Sequence, residues 1–182
     1  IYKQESQEAA LLKGLDIVGV KMSHFIKKAK EIAPEGQLIV HCWRGGKRSA
    51  SISWLLGMAG MKVKVLEGGY KAYRQYIRRQ FQEKKASFII LTGSTGSGKT
   101  KALHHLKSKG EQIIDLEGLA HHKGSAFGDI NEKEQPSTEQ FENNLYEAFR
   151  QLDFNKRIWL ESESRMIGNI SIPDTFWIKM ME

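Results

Sequence analysis

Cys42 is the only cysteine among 182 residues, and it sits in a run of glycines and cations, His41-Cys42-Trp43-Arg44-Gly45-Gly46-Lys47-Arg48-Ser49. The reactive form of a cysteine is the thiolate, which backbone N–H groups, nearby cations and a helix N-terminus all favour. Residues 43–48 supply N–H groups that can curl around the sulfur, Arg44, Lys47 and Arg48 supply charge, and a helix is expected from Ser49. An inert core cysteine would instead have apolar neighbours. A second glycine-rich run, Gly93-Ser94-Thr95-Gly96-Ser97-Gly98-Lys99-Thr100, fits the phosphate-loop pattern in full and lies between an apolar strand and a helix. Its glycines allow successive N–H groups to converge on a phosphate, and the helix adds its positive end. Gly93, Gly96, Ser97, Gly98, Lys99 and Thr100 are the expected phosphate-binding residues, with Lys99 on the outer phosphate and the Thr100 hydroxyl on Mg²⁺.

Such a metal needs an acidic partner. Asp115 ends the apolar strand in IIDL, Glu161 ends RIWLE and Glu163 lies two residues on. All three are candidates, and no apolar run ending in aspartate at the later strand singles one out.

The elements that must position these groups alternate between helix and strand. Helices are expected over 5–13, 22–33, 49–58, 70–82, 99–108 and 139–152. Strands are expected over 37–41, 62–66, 87–92, 111–116 and 157–161, with a long loop over AHHKGSAFGDINEKEQPS and a further helix beginning within PDTFWIKMME. This order predicts an α/β fold with largely parallel sheets. The polar EKKA at 83–86 reads as a linker, which gives one domain over 1–82 and a second over 87–182. The first residues open in a helical pattern without Met and the last stop inside another, so both ends read as cuts through structured sequence.

Lys and Arg number 28 against 21 Asp and Glu, a formal charge of +7 that favours polyanionic partners such as nucleic acid. One cysteine excludes an internal disulfide and a four-cysteine zinc site, and it fits a reducing, cytoplasmic compartment. No apolar run has the length of a membrane span, so no membrane partner is expected.

His41-Cys42 followed by Arg48-Ser49 also reads like the loop of a protein tyrosine phosphatase, where the cysteine attacks phosphorus. That chemistry needs a general acid, and Asp16, the only aspartate before Cys42, lies in a poor context for it. The order after the loop, helix, strand KVKVL and then EGGYKAYR, resembles the rhodanese family, whose cysteines carry sulfur or selenium.

Six segments together resemble the tRNA 2-selenouridine synthase family, a rhodanese-like domain joined to a P-loop domain: YKQESQEAALLKG, HCWRGGKRSAS, VLEGGYKAYR, LTGSTGSGKT, DLEGLAHHKGSAFG and ESESRMIGNISIP. GSTGSGKT alone is generic, whereas DLEGLAHHKGSAFG and ESESRMIG are family-specific. The resemblance implies a transferase that replaces the sulfur of wobble 2-thiouridine in tRNA with selenium from selenophosphate. It also implies an S-geranyl intermediate made from geranyl diphosphate. Cys42 would serve the selenium step, and the P-loop would bind a diphosphate or a nucleotide, with Mg²⁺ alongside and no tightly held cofactor. Partners would be tRNA and the enzyme that supplies selenophosphate. The family's opening rhodanese strand has no counterpart here, and family members continue well past the ESESR region. The chain therefore reads as an internal fragment with a partial rhodanese-like domain, and whether this stretch is active alone is left open.

Two rival readings stand beside this one: a P-loop kinase or NTPase with a degenerate rhodanese module, and a non-catalytic tRNA-binding sulfur-relay module. Candidate tRNA contacts are Arg74, Arg78 and Arg79, which alternate with Tyr70, Tyr73 and Tyr76, together with His121, His122 and Arg165. The tyrosine helix has a second reading, in which its rings pack inward and its arginines face water.

Overall fold

The computed structural model describes residues 6–125 and 128–182. Ala126 and Phe127 of the AHHKGSAFG run, and the first residues of YKQESQEAALLKG, lie outside them. The chain divides into two units, residues 1–74 and 75–182.

In the first unit, α1 (Gln7–Gly19) is capped by Ser6, whose side chain accepts from the Ala9 N–H. It is followed by α2 (Met22–Ile32), β1 (Gln37–Val40), α3 (Lys47–Met58), β2 (Lys62–Val65) and the start of α4 (Gly69–Glu83). β1 and β2 pair in parallel, with Gln37 opposite Lys62 and Val40 opposite Val65. Parallel neighbours cannot be joined by a tight turn, so α3 makes the crossover. Ala29, Leu56 and Met61 are buried at its base, packed against Ile26, Leu38, Val40, Ile52 and Val63.

The division between the units falls inside α4, between Arg74 and Gln75. Of the expected linker residues 83–86, Glu83 ends this helix and the other three lead into β3 (Ser87–Leu91).

The second unit continues with α5 (Lys99–Ser108), β4 (Gln112–Ile114), α6 (Leu116–Ala120), α7 (Thr138–Phe149), β5 (Arg157–Glu161), β6 (Met166–Ile167), β7 (Ile170–Ser171) and α8 (Asp174–Met181). Its main sheet has the order β3-β5-β4 with all pairs parallel, and β6 and β7 form a short antiparallel hairpin. The mixed α/β architecture with parallel sheets agrees with the alternating sequence pattern. Phe81, Phe149 and Phe176 are buried together, with Phe81 5.2 Å from each of the other two rings. Strand β4 is shorter than its apolar run because Asp115 leaves it to cap α6, accepting from the Gly118 N–H at 2.7 Å. Among the described residues no helix is long and apolar enough to cross a membrane.

Candidate functional sites

The cysteine loop is held from below by backbone bonds to the start of α4. Tyr70 N–H donates to Cys42 O at 3.0 Å and Lys71 N–H to Trp43 O at 2.9 Å. The packing is so close that a Cβ on Gly69 would overlap Cys42 O and Gly45 N, and one on Gly45 would lie 2.9 Å from Gly69 N. Both glycines have positive φ, +65° at Gly45 and +64° at Gly69. The pairing of HCWRGGKRS with EGGY in the sequence is therefore a backbone-to-backbone fit that side chains would destroy.

Within this loop the Cys42 sulfur accepts from Gly46 N–H at 3.2 Å and lies 3.3 Å from Ser49 Oγ. Ser49 is 3 % exposed and its hydroxyl is also 3.0 Å from Gly46 O. The Ser49 hydroxyl first, then the backbone N–H groups of Ser49 and Gly46, draw the thiol down to about 6. These contacts favour the thiolate. Arg44, Gly46, Lys47 and Arg48 join Cys42 and Trp43 around a cavity of about 380 Å³.

The second loop leaves β3 at its neighbour's most acidic end. Leu91 is paired with Glu161, and Ser162 N–H donates to Leu91 O at 2.8 Å, so the end of β5 lies beside the glycine run. Gly98, with φ of +88°, opens α5, and Lys99 Nζ donates to Gly93 O at 3.1 Å. Thr100 Oγ1 lies 2.9 Å from Glu161 Oε2 and 3.0 Å from Glu117 Oε2. Glu117, Glu161 and Glu163 each offer a carboxylate oxygen within 4.8 Å of the others.

This cluster is electrostatically unbalanced. One hydroxyl hydrogen cannot satisfy two carboxylates, and Glu161 is fully buried with Oε1 lacking any partner. Burial first, and the neighbouring carboxylates after it, push Glu161 upward and Glu163 up to about 7. Either a proton or a cation resolves such crowding. An all-oxygen set with an unpartnered buried oxygen fits a hard divalent cation such as Mg²⁺.

Of the expected acidic partners, Glu161 and Glu163 reach the Thr100 hydroxyl region. Asp115 is engaged otherwise: it caps α6 and its Oδ2 is 2.9 Å from His104 Nε2. Glu117 was absent from the sequence expectation. Its signal was the spacing in Asp115-Leu116-Glu117-Gly118, where a residue that turns the chain into a helix is followed by a carboxylate in its first turn.

The expected tRNA contacts are dispersed. Arg78 Nε is 3.0 Å from Glu142, whose side chain is 2 % exposed, so that guanidinium compensates a buried charge. Arg79 is 3.8 Å from Glu83 and lies over the Tyr76 ring at 6.0 Å. Arg74 is the last residue of the first unit. Arg165 pairs with Asp174. His121 adopts a left-handed conformation after α6, with Nδ1 2.9 Å from Glu134 O, and His122 Nδ1 accepts from Gly124 N–H at 3.2 Å. The tyrosine row splits: Tyr76 packs edge-on against Tyr146 in the second unit, whereas Tyr70 and Tyr73 stack toward the cysteine loop.

The family model described as tRNA 2-selenouridine synthase AAA domain matches residues 86–182. Curated relatives named tRNA 2-selenouridine synthase match nearly the whole chain. That of Shewanella frigidimarina is 36% identical over 187 residues, covering 100% of this chain and 50% of its own length. The Bdellovibrio bacteriovorus protein is 38% identical over 188 residues, with 99% and 49% covered. The Shewanella halifaxensis protein is 40% identical over 191 residues, with 98% and 49% covered. The chain spans about half the length of the curated relatives it matches.

Proposed function

The chain belongs to the tRNA 2-selenouridine synthase family, and on that premise we propose that it takes part in exchanging the sulfur of tRNA 2-thiouridine for selenium. In this reading the first unit is a partial rhodanese-like domain whose Cys42 thiolate handles selenium supplied as selenophosphate. The second unit holds a diphosphate, with geranyl diphosphate as the prenyl donor. The thiouridine sulfur attacks the allylic carbon of that donor, the carbon–oxygen bond breaks and diphosphate leaves. The selenium of selenophosphate then attacks C2, the C2–S bond breaks and geranyl thiol leaves, and water cleaves the P–Se bond to release phosphate. Partners are tRNA and a selenophosphate-supplying enzyme, in the cytoplasm.

The observation that carries this reading is the Cys42 sulfur, bonded by Gly46 N–H and set 3.3 Å from Ser49 Oγ in a loop whose contacts draw its pKa down. A loop built to keep a cysteine ionised suits nucleophilic or carrier chemistry. In the second unit Thr100, Glu117, Glu161 and Glu163 would hold Mg²⁺. Such an ion, when bound, neutralises charge on a diphosphate or nucleotide. Lys99 and the N–H groups of residues 93–100 bind and orient that ligand, and Glu161 and Glu117 fix the Thr100 hydroxyl. The same cluster favours one alternative, a P-loop phosphotransferase acting on a magnesium nucleotide, because its oxygens suit either phosphate ligand.

The test is nucleoside mass spectrometry of thiolated tRNA incubated with selenophosphate and geranyl diphosphate. The protein is expected to yield 2-selenouridine, and Cys42→Ser to yield none while geranylated nucleoside accumulates. Undiminished selenouridine in Cys42→Ser would remove Cys42 from the reaction. Rapid release of nucleotide γ-phosphate without tRNA would favour the phosphotransferase.

A further inference from the structure

The cavity beside Cys42 has a wall that the reading above leaves unused. Trp43 lines it together with Cys42 and the loop cations. The indole is 45% exposed. A lone exposed aromatic is ordinary. This one is fixed: its carbonyl accepts from Lys71 N–H, and its ring lies 6.0 Å from that of Tyr70, tilted by 56°. Tyr70 is itself flanked by His41 at 5.8 Å and Tyr73 at 6.1 Å, and its N–H holds Cys42 O. The same turn therefore sets the indole and the sulfur relative to each other. Arg44, Lys47 and Arg48 form no ion pair among the described residues, which leaves three cations on the rim of the cavity without a carboxylate partner.

We propose that Trp43 is the stacking platform for the unpaired pyrimidine base whose C2 substituent is exchanged beside Cys42, with the flanking phosphates of that RNA strand lying against Arg44, Lys47 and Arg48. This rests on the reading that tRNA is the substrate. A base offers a π face to the supported indole and its backbone offers charge to the rim, which is the usual way single-stranded RNA is held. A wholly apolar ligand would gain nothing from the three cations. The arrangement also gives a reason for the order Cys-Trp-Arg in the loop: nucleophile, base platform and phosphate contact follow one another along the chain.

The experiment measures binding of two short RNA hairpins that differ only at one loop position, 2-thiouridine in one and an abasic site in the other. The protein is expected to prefer the thiouridine hairpin by roughly 5- to 150-fold, the range for one base stacked on an aromatic ring. Trp43→Leu keeps apolar bulk but no π face, and should bind both hairpins alike at the abasic level. Trp43→Phe should retain most of the preference, which separates stacking from a loss of folding. Trp43→Leu with an intact preference would overturn the proposal. Equal binding of both hairpins by the unaltered protein would also overturn it, while leaving RNA as the substrate. Binding of neither hairpin would overturn it together with the tRNA reading.

Discussion

The loop after β1 and the loop after β3 both run from a parallel strand into a helix that starts on a lysine, Lys47 and Lys99, yet only the first contains an anion-forming side chain of its own. In the first, a backbone N–H and a hydroxyl close on the Cys42 sulfur. In the second, residues 93–100 contribute N–H groups, hydroxyls and a cation, and three carboxylates face them from α6 and the end of β5. The same strand-loop-helix unit thus serves opposite ends. One carries a nucleophilic side chain of its own, whereas the other, in the function proposed above, takes a phosphate ligand and a cation from outside. Chemistry arranged in this way should be separable by mutation.

The largest effect expected from that separation is at Lys99. Lys99→Ala removes the point charge from the phosphate loop and leaves the cysteine loop untouched. Geranylation of thiolated tRNA should fall by roughly a hundredfold or more, the scale for loss of one preorganised charge contact. Selenation should persist when the variant is given tRNA that already carries the S-geranyl group. Quantifying thio-, geranyl- and seleno-nucleosides from both tRNAs decides the matter. Equal failure on both, in a folded and tRNA-bound variant, would place the phosphate loop in the selenium step and erase the division.

A smaller effect should appear in stability, and it sharpens the contrast by testing whether the second loop awaits a cation. Glu161 and Glu163 are both raised, Glu163 to about 7. Between the ordinary carboxylate range, about 4.3, and that value the folded state binds more protons than the unfolded one. The stability these two carboxyls contribute therefore falls as pH rises from about 4.3 to 7, while the depressed Cys42 thiol of the first unit acts in the opposite sense above about 6. Mg²⁺ should recover a few degrees of the melting temperature at pH 8 and very little at pH 5, as expected for a ligand that binds only the folded state. Glu161→Gln should flatten the pH profile and blunt the Mg²⁺ response. A melting temperature indifferent to Mg²⁺ at pH 8 would leave the three carboxylates with no role as a cation site.

The two loops also differed in how far the sequence disclosed them. Both could be seen, because glycines at fixed spacing between an apolar run and a helical one are local signals. The helix over 99–108 and the strand over 157–161 appear at their expected bounds. The carboxylate set was visible in two of its three members, Glu161 and Glu163. Glu161 sits at a strand end and could be suspected there, but its neighbour Glu117 belongs to the five-residue helix α6, too short for any hydrophobic period to register. Its relation to Thr100 arises from the β3-β5-β4 order and the turn at Asp115, neither of which is a local property. Arg78 carries a contact that was equally invisible: its partner Glu142 lies 64 residues away and is buried, so the basic stripe includes a structural ion pair. The β6–β7 hairpin, with two residues in each strand, also carries no periodic signal.

The finest test of the comparison concerns Ser49, the hydroxyl that makes the first loop self-sufficient. It is the largest influence drawing Cys42 down to about 6, and it lies 3.3 Å from the sulfur. Ser49→Ala should move the pH midpoint of Cys42 alkylation upward, toward the ordinary thiol value of about 8.5. At pH 7 a thiol with a midpoint near 6 is about nine-tenths ionised and an ordinary one only a few per cent, so the rate should drop several-fold. At pH 9 to 10 the order should reverse slightly, because a thiolate of higher pKa is the stronger nucleophile once formed. The two rate profiles therefore cross, which a merely damaged loop would not produce, since damage lowers or raises the rate at every pH. Ser49→Thr retains the hydroxyl and should return the midpoint most of the way. If Ser49→Ala leaves the midpoint where it was, the thiolate is held by the Gly46 N–H and the start of α3 alone. The first loop would then resemble the second more closely than the contacts around its sulfur imply.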